Sequence, residues 1–128
     1  MADSTSIVLV GHCVPDQFML KNTLRRIAPE AEVVLVNTPA DLAPYATGAV
    51  LLVNRVLDGV FPNDSGLDLI QAHLSDEGAS PALLISNYAD AQAAAEAAGA
   101  MPGFGKSDLE SAATAERIQA ALAHVVSA

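Results

Sequence analysis

Short hydrophobic runs recur along the chain and alternate with longer segments of mixed polarity. The runs extend over Ile7 to Val10, Glu32 to Val36, Ala49 to Val53, Ala82 to Ser86 and, more weakly, Met101 to Gly105. Runs of this length that are rich in Val, Leu and Ile are typical of strands buried on both faces. Strands separated by helices along a whole chain form a parallel sheet with helices on both sides. The pattern therefore predicts an α/β protein: a three-layer sandwich around a five-stranded parallel sheet.

The segments between the runs have helical spacing and cap signals. The first spaces four apolar residues for one side of a helix that ends before a proline: Phe18, Leu20, Leu24 and Ile27. Ser65 can cap a helix that reads GLDLIQAHL, and residues 90–98 are almost pure alanine spaced by polar residues. Ser107 to Glu110 has the form of a capping box and predicts the start of the last helix. A short helix around Pro39 to Ala43, with Thr38 as its cap, brings the expected number of helices to five.

Parallel sheets place their sites beyond the carboxyl ends of the strands. The candidates are Gly11 to Val14, Asn54 to Asp58, Ser86 to Tyr88, and Lys106. Lys106 also ends a glycine-rich stretch similar to the tail of a phosphate-binding loop, but Ala100 stands where that motif requires glycine. A nucleotide-binding enzyme of this type would also need strands after the lysine, and none is predicted.

Composition limits the classes of function. The 128 residues suit one domain, and the formal charge of −9 without a basic stripe argues against nucleic-acid binding. No apolar run approaches the length of a membrane span, and the N-terminal MADSTS lacks the basic start of a signal peptide. The single cysteine, Cys13, excludes an internal disulfide. A cytoplasmic protein without membrane contact is expected.

Several features occur together in a characteristic order. Ser86 ends the fourth strand, Ala98-Gly99-Ala100 precedes Lys106 by six residues, and PNDSGLDLI leads into the third predicted helix. In this order and spacing the chain resembles the receiver domains of response regulators. The resemblance extends from Ile7 to the last helix. It implies a single receiver-like domain at 1–128, with its core at about 7–126, and a flavodoxin-like sheet of strand order 2-1-3-4-5.

The resemblance also implies a chemistry. In receivers a strand-end aspartate accepts a phosphoryl group from phosphohistidine, an acidic pair holds Mg²⁺, and a hydroxyl and a lysine bind the phosphoryl oxygens. Ser86 and Lys106 match the hydroxyl and the lysine. In receivers a proline often follows the acidic pair by two positions. Aligned on Pro15, the pair falls on His12 and Cys13, which are not the hard oxygen ligands that Mg²⁺ prefers. No cofactor is expected, Mg²⁺ included.

The phosphoacceptor position allows two alignments. Counting from the third strand gives Asn54, whereas counting back eight residues from Gly66 gives Asp58. We favour Asn54, because a strand that continued to Asp58 would bury Asn54 and Arg55 at a cost. An amide is no nucleophile toward phosphohistidine, so this alignment implies a degenerate receiver. The Asp58 alignment retains a carboxylate that could accept the phosphoryl group, but the acidic pair that holds Mg²⁺ is still missing.

The expected function is that of a stand-alone pseudo-receiver in bacterial two-component signalling, which is no enzyme and acts by protein–protein interaction. Expected partners are a histidine kinase, an output protein, or a second copy bound through the fourth helix, fifth strand and fifth helix at residues 88–126. One alternative is a receiver phosphorylated on Asp58. Another is a flavodoxin-like module that binds a small molecule or, through His12, Cys13 and Asp58, a transition metal.

Overall fold

A computed structural model describes residues 5–127 of the chain. Strands and helices alternate in the order β1 (Ser6–Val10), α1 (Val14–Ile27), β2 (Glu32–Val36), α2 (Pro39–Leu42), β3 (Val50–Asn54), α3 (Gly66–Leu74), β4 (Ala82–Ile85), α4 (Ala89–Ala97), β5 (Met101–Phe104) and α5 (Ala112–Ser127). Short 3₁₀ turns lie at Ala43–Tyr45 and Lys106–Asp108. The expected domain limits and most of the N-terminal MADSTS segment lie outside the described residues. Within residues 5–127, no helix is both long and apolar enough to cross a membrane.

The five strands form one parallel sheet in the order β2-β1-β3-β4-β5. In the ladders around β1, Val10 pairs with Val36 on one side and with Val53 on the other. The strands with neighbours on both sides, β1, β3 and β4, are almost entirely buried, which explains their unbroken hydrophobic runs. The predicted flavodoxin-like fold and its strand order are confirmed.

Successive strand residues face opposite sides of the sheet and build two hydrophobic layers. One layer joins the sheet to α1 and α5 and includes Leu9, Leu20, Leu24, Leu52 and Ile118. The other joins the sheet to α3 and α4 and includes Val10, Leu51, Val53, Ile70 and Ala95. Both faces of the sheet are thus covered, and the loops at the carboxyl edge remain for a functional site.

The start of α5 differs from the prediction. Ser107 lies in a 3₁₀ turn, and α5 begins only at Ala112. The capping hydroxyl is that of Ser111, whose Oγ accepts the Thr114 N–H at 3.2 Å. The reason is that the Ser107 N–H and hydroxyl both donate to Asn87 Oδ1, at 3.2 and 2.9 Å, which ties this residue to the loop after β4.

Phe18 does not belong to the buried face of α1. Its side chain is 67% exposed, whereas Leu20, Thr23 and Leu24 are buried. Phe18 lies two residues before Leu20, which places the two side chains about 200° apart around the helix axis. The apolar spacing correctly predicted the helix, but the assignment of Phe18 to its buried side was wrong.

Candidate functional site

The candidate site lies at the carboxyl edge of the sheet. Asn54 is the last residue of β3, Ser86 directly follows β4, and Lys106 follows β5 by two positions. These three residues line a cavity of about 230 Å³. The parallel topology alone brings them together, because all five strands end at this edge.

Lys106 makes two polar contacts. Its Nζ donates to Asn54 Oδ1 at 3.3 Å and to Asp16 Oδ2 at 2.5 Å. The Asn54 amide is oriented by its Nδ2, which donates to the Gly11 carbonyl at 3.0 Å. The Lys106 and Asp16 side chains are 23% and 22% exposed, so their ion pair is mostly shielded from water. The positive charge of Lys106 is therefore balanced by a carboxylate from the first turn of α1.

Asp16 is held in its ionised form. Desolvation raises the pKa of its carboxyl, but hydrogen bonds from Lys106 and Cys13 and the charge of Lys106 outweigh that effect. The net pKa is lower than its ordinary value of 3.8. Asp16 and Lys106 thus form a charged pair at neutral pH.

His12 is completely buried beneath the site. Its Nε2 lies 2.9 Å from the Leu52 carbonyl oxygen, which can only accept, so Nε2 carries the proton. Nδ1 then bears a lone pair, and it has no hydrogen-bond partner among the described residues. Burial lowers the pKa of the imidazole to about 4, although the bond to Leu52 opposes this shift. His12 is accordingly neutral at physiological pH.

The residues of the alternative metal site, His12, Cys13 and Asp58, do not assemble. Cys13 is a half-buried free thiol directly before α1. Asp58 is exposed, and its Oδ1 accepts the N–H of Gly59 at 3.0 Å. Across residues 5–127 no three His, Cys, Asp or Glu side chains are grouped so that they could hold a metal ion. Asp58 also has no ion pair with Lys106 in the described part of the chain, where that lysine pairs with Asp16.

Three side chains from the loops after β3 and β4 form the rim of the cavity. The Ser86 Oγ accepts the N–H of Tyr88 at 3.1 Å, which gives the loop after β4 a tight turn. The Tyr88 ring is 63% exposed, and the guanidinium carbon of Arg55 lies 4.9 Å from its centroid. This is a cation–π contact between the loops after β3 and β4.

Solved structures with the same architecture include several response regulators. The receiver domain of a DNA-binding response regulator from Colwellia psychrerythraea 34H is 18% identical, with a TM-score of 0.70, over 91% of this chain and 97% of that one. A response regulator from Thermotoga maritima is 15% identical, with a TM-score of 0.71, over 94% and 98%. The chain has the fold of a response regulator receiver domain.

A third structure with this receiver fold comes from Burkholderia pseudomallei. It is a response regulator with a phosphorylated aspartic acid, a calcium ion and citrate, and it is 23% identical, with a TM-score of 0.59, over 94% of this chain and 66% of that one. No protein-family model and no curated protein matches the sequence. The similarity is therefore one of fold.

Sequence reasoning missed one residue of this receiver-fold site, Asp16. It lies 90 positions before its partner Lys106 and belongs to a helix instead of a strand end. The available signal was an acidic residue in the first turn of α1, the helix that follows the carboxyl end of β1. An acid in a first helical turn is common, because it interacts favourably with the helix N-terminus, and for that reason it did not stand out.

Proposed function

We propose that the chain acts in two-component signal transduction as a degenerate receiver domain. It takes no phosphoryl group, has no catalytic activity of its own, and works through protein–protein contacts. The receiver fold supports the signalling role. The observation that carries the phosphorylation-independent part is the pairing of Lys106 with Asn54 and Asp16.

Asn54 stands where the receiver resemblance implies the phosphoacceptor. It is the strand-end residue beside the lysine, and its amide nitrogen is no nucleophile. Asp58, the alternative acceptor, is turned toward its own following backbone N–H group. Neither residue offers a carboxylate next to Lys106 of the kind that attacks phosphohistidine.

The charge of the site argues against Mg²⁺. The resemblance implies that a receiver site contains three carboxylates, the acidic pair and the acceptor aspartate, and one lysine. Its net charge is then −2, which a divalent cation neutralises. Here His12 is neutral, Asn54 is uncharged, and Asp16 and Lys106 cancel each other. His12 and Cys13 are also poor ligands for a hard cation. The residues present do not fit Mg²⁺.

Without a phosphoryl group the switch of the receiver fold has nothing to respond to. In an active receiver the phosphoryl group draws the hydroxyl and the lysine inward and changes the face formed by α4, β5 and α5. Ser86 and Lys106 already have partners in this chain. The proposed consequence is a face that stays in one state and binds a histidine kinase, an output protein or a second copy constitutively.

Intact mass spectrometry after incubation with acetyl phosphate and Mg²⁺ tests the phosphorylation part. We expect no covalent adduct, whereas a phosphorylatable receiver treated in parallel gains one phosphoryl group. An adduct on the native chain that disappears in Asp58→Asn would overturn the proposal and establish the alternative acceptor.

Sedimentation tests the interaction part. Ala93 lies on the exposed side of α4, and Ala40 is a similarly exposed alanine on α2. Ala93→Glu is expected to weaken self-association or binding of a purified kinase or output partner, and Ala40→Glu is not. Association that requires a phosphodonor and Mg²⁺, or equal effects of the two substitutions, contradicts a constitutive α4 face.

A further inference from the structure

A second cavity lies between α2, the loop after β3 and α3, and it shares no residue with the cavity around Lys106. Its volume is about 450 Å³, within the range of roughly 300 to 1,000 Å³ that is usual for small-molecule sites. Its walls are largely apolar and include Leu42, Leu57, Phe61 and Leu69. Since a cavity of about 150 Å³ already holds a benzene molecule, a ligand with one ring and a short chain fits this space.

Small side chains keep this space open. The lining includes Ala72 from α3, and Ala43 and Ala46 from the 3₁₀ turn after α2 and the residue that follows it. Their methyl groups are too short to fill the gap between the two elements, and α2 itself has only four residues. The apolar walls of an unfilled cavity lack dispersion contacts on one side, so an apolar ligand that fills the cavity gains those contacts.

Asp68 gives this cavity an uncompensated negative charge. It is part of the lining, which contains no lysine or arginine. Neither of the two ion pairs in residues 5–127 involves Asp68. Its side chain is exposed, so the charge lies where the cavity meets the solvent. A ligand that fits this end of the cavity carries a positive charge.

His73 adds a hydrogen-bond acceptor to the lining. Its Nε2 lies 2.8 Å from the Ser80 carbonyl oxygen, which can only accept, so Nε2 carries the proton. In the neutral imidazole Nδ1 then bears a lone pair, for which the described residues provide no donor. The side-chain oxygens of Asn63 and Ser65, also in the lining, already accept backbone N–H groups. The acceptors left for a ligand are thus a carboxylate and an imidazole nitrogen.

We propose that this cavity binds a small amphiphilic amine, with its apolar body between α2 and α3 and its protonated amino group at Asp68 and His73. An ammonium group brings a positive charge and only hydrogen-bond donors, which match a free carboxylate and a free lone pair. Asp68 lies four residues before Ala72, so the charge and the apolar wall occupy one side of α3. The inference is independent of the proposed function, because none of the lining residues belongs to the Lys106 site or to α4, β5 and α5.

Nuclear magnetic resonance titration of the full chain, with ¹³C-labelled methyl groups, tests the proposal with phenethylamine as the probe. Saturable shifts are expected for the methyl groups of Leu42, Leu57, Leu69 and Ala72. Phenethyl alcohol keeps the ring and loses the charge, so it should bind about tenfold more weakly. Ethylamine keeps the charge and loses the ring, and hydrocinnamate carries a charge that Asp68 repels. Neither of these two compounds should saturate at the same concentrations.

Two pairs of variants test the charge and the cavity separately. Asp68→Asn should weaken phenethylamine binding about tenfold and leave phenethyl alcohol binding unchanged. Asp90→Asn, in the first turn of α4 and outside the cavity, should affect neither. Ala72→Leu fills the cavity and should abolish the binding of both compounds. Gln71→Leu places the same side chain at an exposed position of α3 outside the cavity and should leave binding unchanged.

The outcomes distinguish the inference from the proposed function. The inference is overturned by no saturation up to about 20 mM phenethylamine, by equal binding of hydrocinnamate, by equal effects of Asp68→Asn and Asp90→Asn, or by shifts that persist in Ala72→Leu. Each of these results leaves the proposed function intact. A covalent phosphoryl adduct in the mass measurement with acetyl phosphate and Mg²⁺ overturns the proposed function and leaves the inference intact. Saturable shifts that Asp68→Asn weakens and Ala72→Leu removes support the inference.

Discussion

Replacing Asp16 by asparagine removes the counter-ion of Lys106 while keeping the shape of the side chain. Removing one partner of a fully buried pair costs about 3 to 5 kcal/mol, and a fully exposed pair contributes about 0 to 1 kcal/mol. The two side chains are about one-fifth exposed and their charged atoms lie 2.5 Å apart. An intermediate loss of about 2 kcal/mol in the free energy of unfolding is therefore expected at pH 7 for Asp16→Asn.

Asp68 provides a matched control. Like Asp16 it lies in the first turn of a helix, where a negative charge is favourable, but it is exposed and has no lysine partner in the described chain. Asp68→Asn should cost about 0.3 to 1 kcal/mol, which measures the helix-end contribution alone. Combining Asp16→Asn with Lys106→Met in a double-mutant cycle then isolates the ion pair.

The assay is urea unfolding followed by circular dichroism at several pH values. The pKa of Asp16 is lower in the folded chain than its ordinary 3.8, so its stabilising effect is complete above that value and is lost as the pH falls through the folded pKa. The stabilities of the native chain and Asp16→Asn should converge there. A coupling energy below about 0.5 kcal/mol at pH 7, or a constant difference down to strongly acidic pH, would refute the role of Asp16 as counter-ion.

Three further predictions, two of them with a matched control substitution, use the same unfolding assay. The pKa of His12 is about 4 in the folded chain, below its ordinary value of 6.5, so the unfolded chain takes up the proton first as the pH falls. The free energy of unfolding of the native chain should therefore decrease by about 3 kcal/mol between pH 6.5 and pH 4. His12→Gln should lack this loss, and an unchanged pH profile contradicts the buried neutral imidazole. Ser111→Ala removes the cap of α5 and should lower the free energy of unfolding by about 1 kcal/mol. Glu110→Ala should lower it by at most about 0.5 kcal/mol. A larger loss for Glu110→Ala would favour the capping box predicted at Ser107 to Glu110. Gly66→Ala should cost at least about 3 kcal/mol, since its Cβ would overlap the carbonyl that ends β3. Gly78→Ala, in open space at φ +75°, should cost about 1 to 2 kcal/mol; similar losses at both glycines argue against that overlap.

The amino-acid sequence by itself determined the fold and the edge at which the site lies. Buried parallel strands require continuous hydrophobic runs, and their ends are marked by the first polar residue, so the positions of Asn54, Ser86 and Lys106 could be read locally. Parallel topology then places every such end at one edge without knowledge of any side-chain contact. The same local reasoning favoured Asn54 over Asp58 as the residue at the end of β3.

Tertiary structure alone decided which groups meet at that edge. The contact of Asp16 with Lys106 depends on how the start of α1 and the loop after β5 lie relative to each other, and no periodic pattern encodes that distance. The burial and neutral state of His12, and the stacking of Arg55 on Tyr88, likewise depend on neighbours far away in sequence. Periodicity specifies which face of an element is buried, whereas side-chain pairing over tens of residues is specified only when the elements have packed.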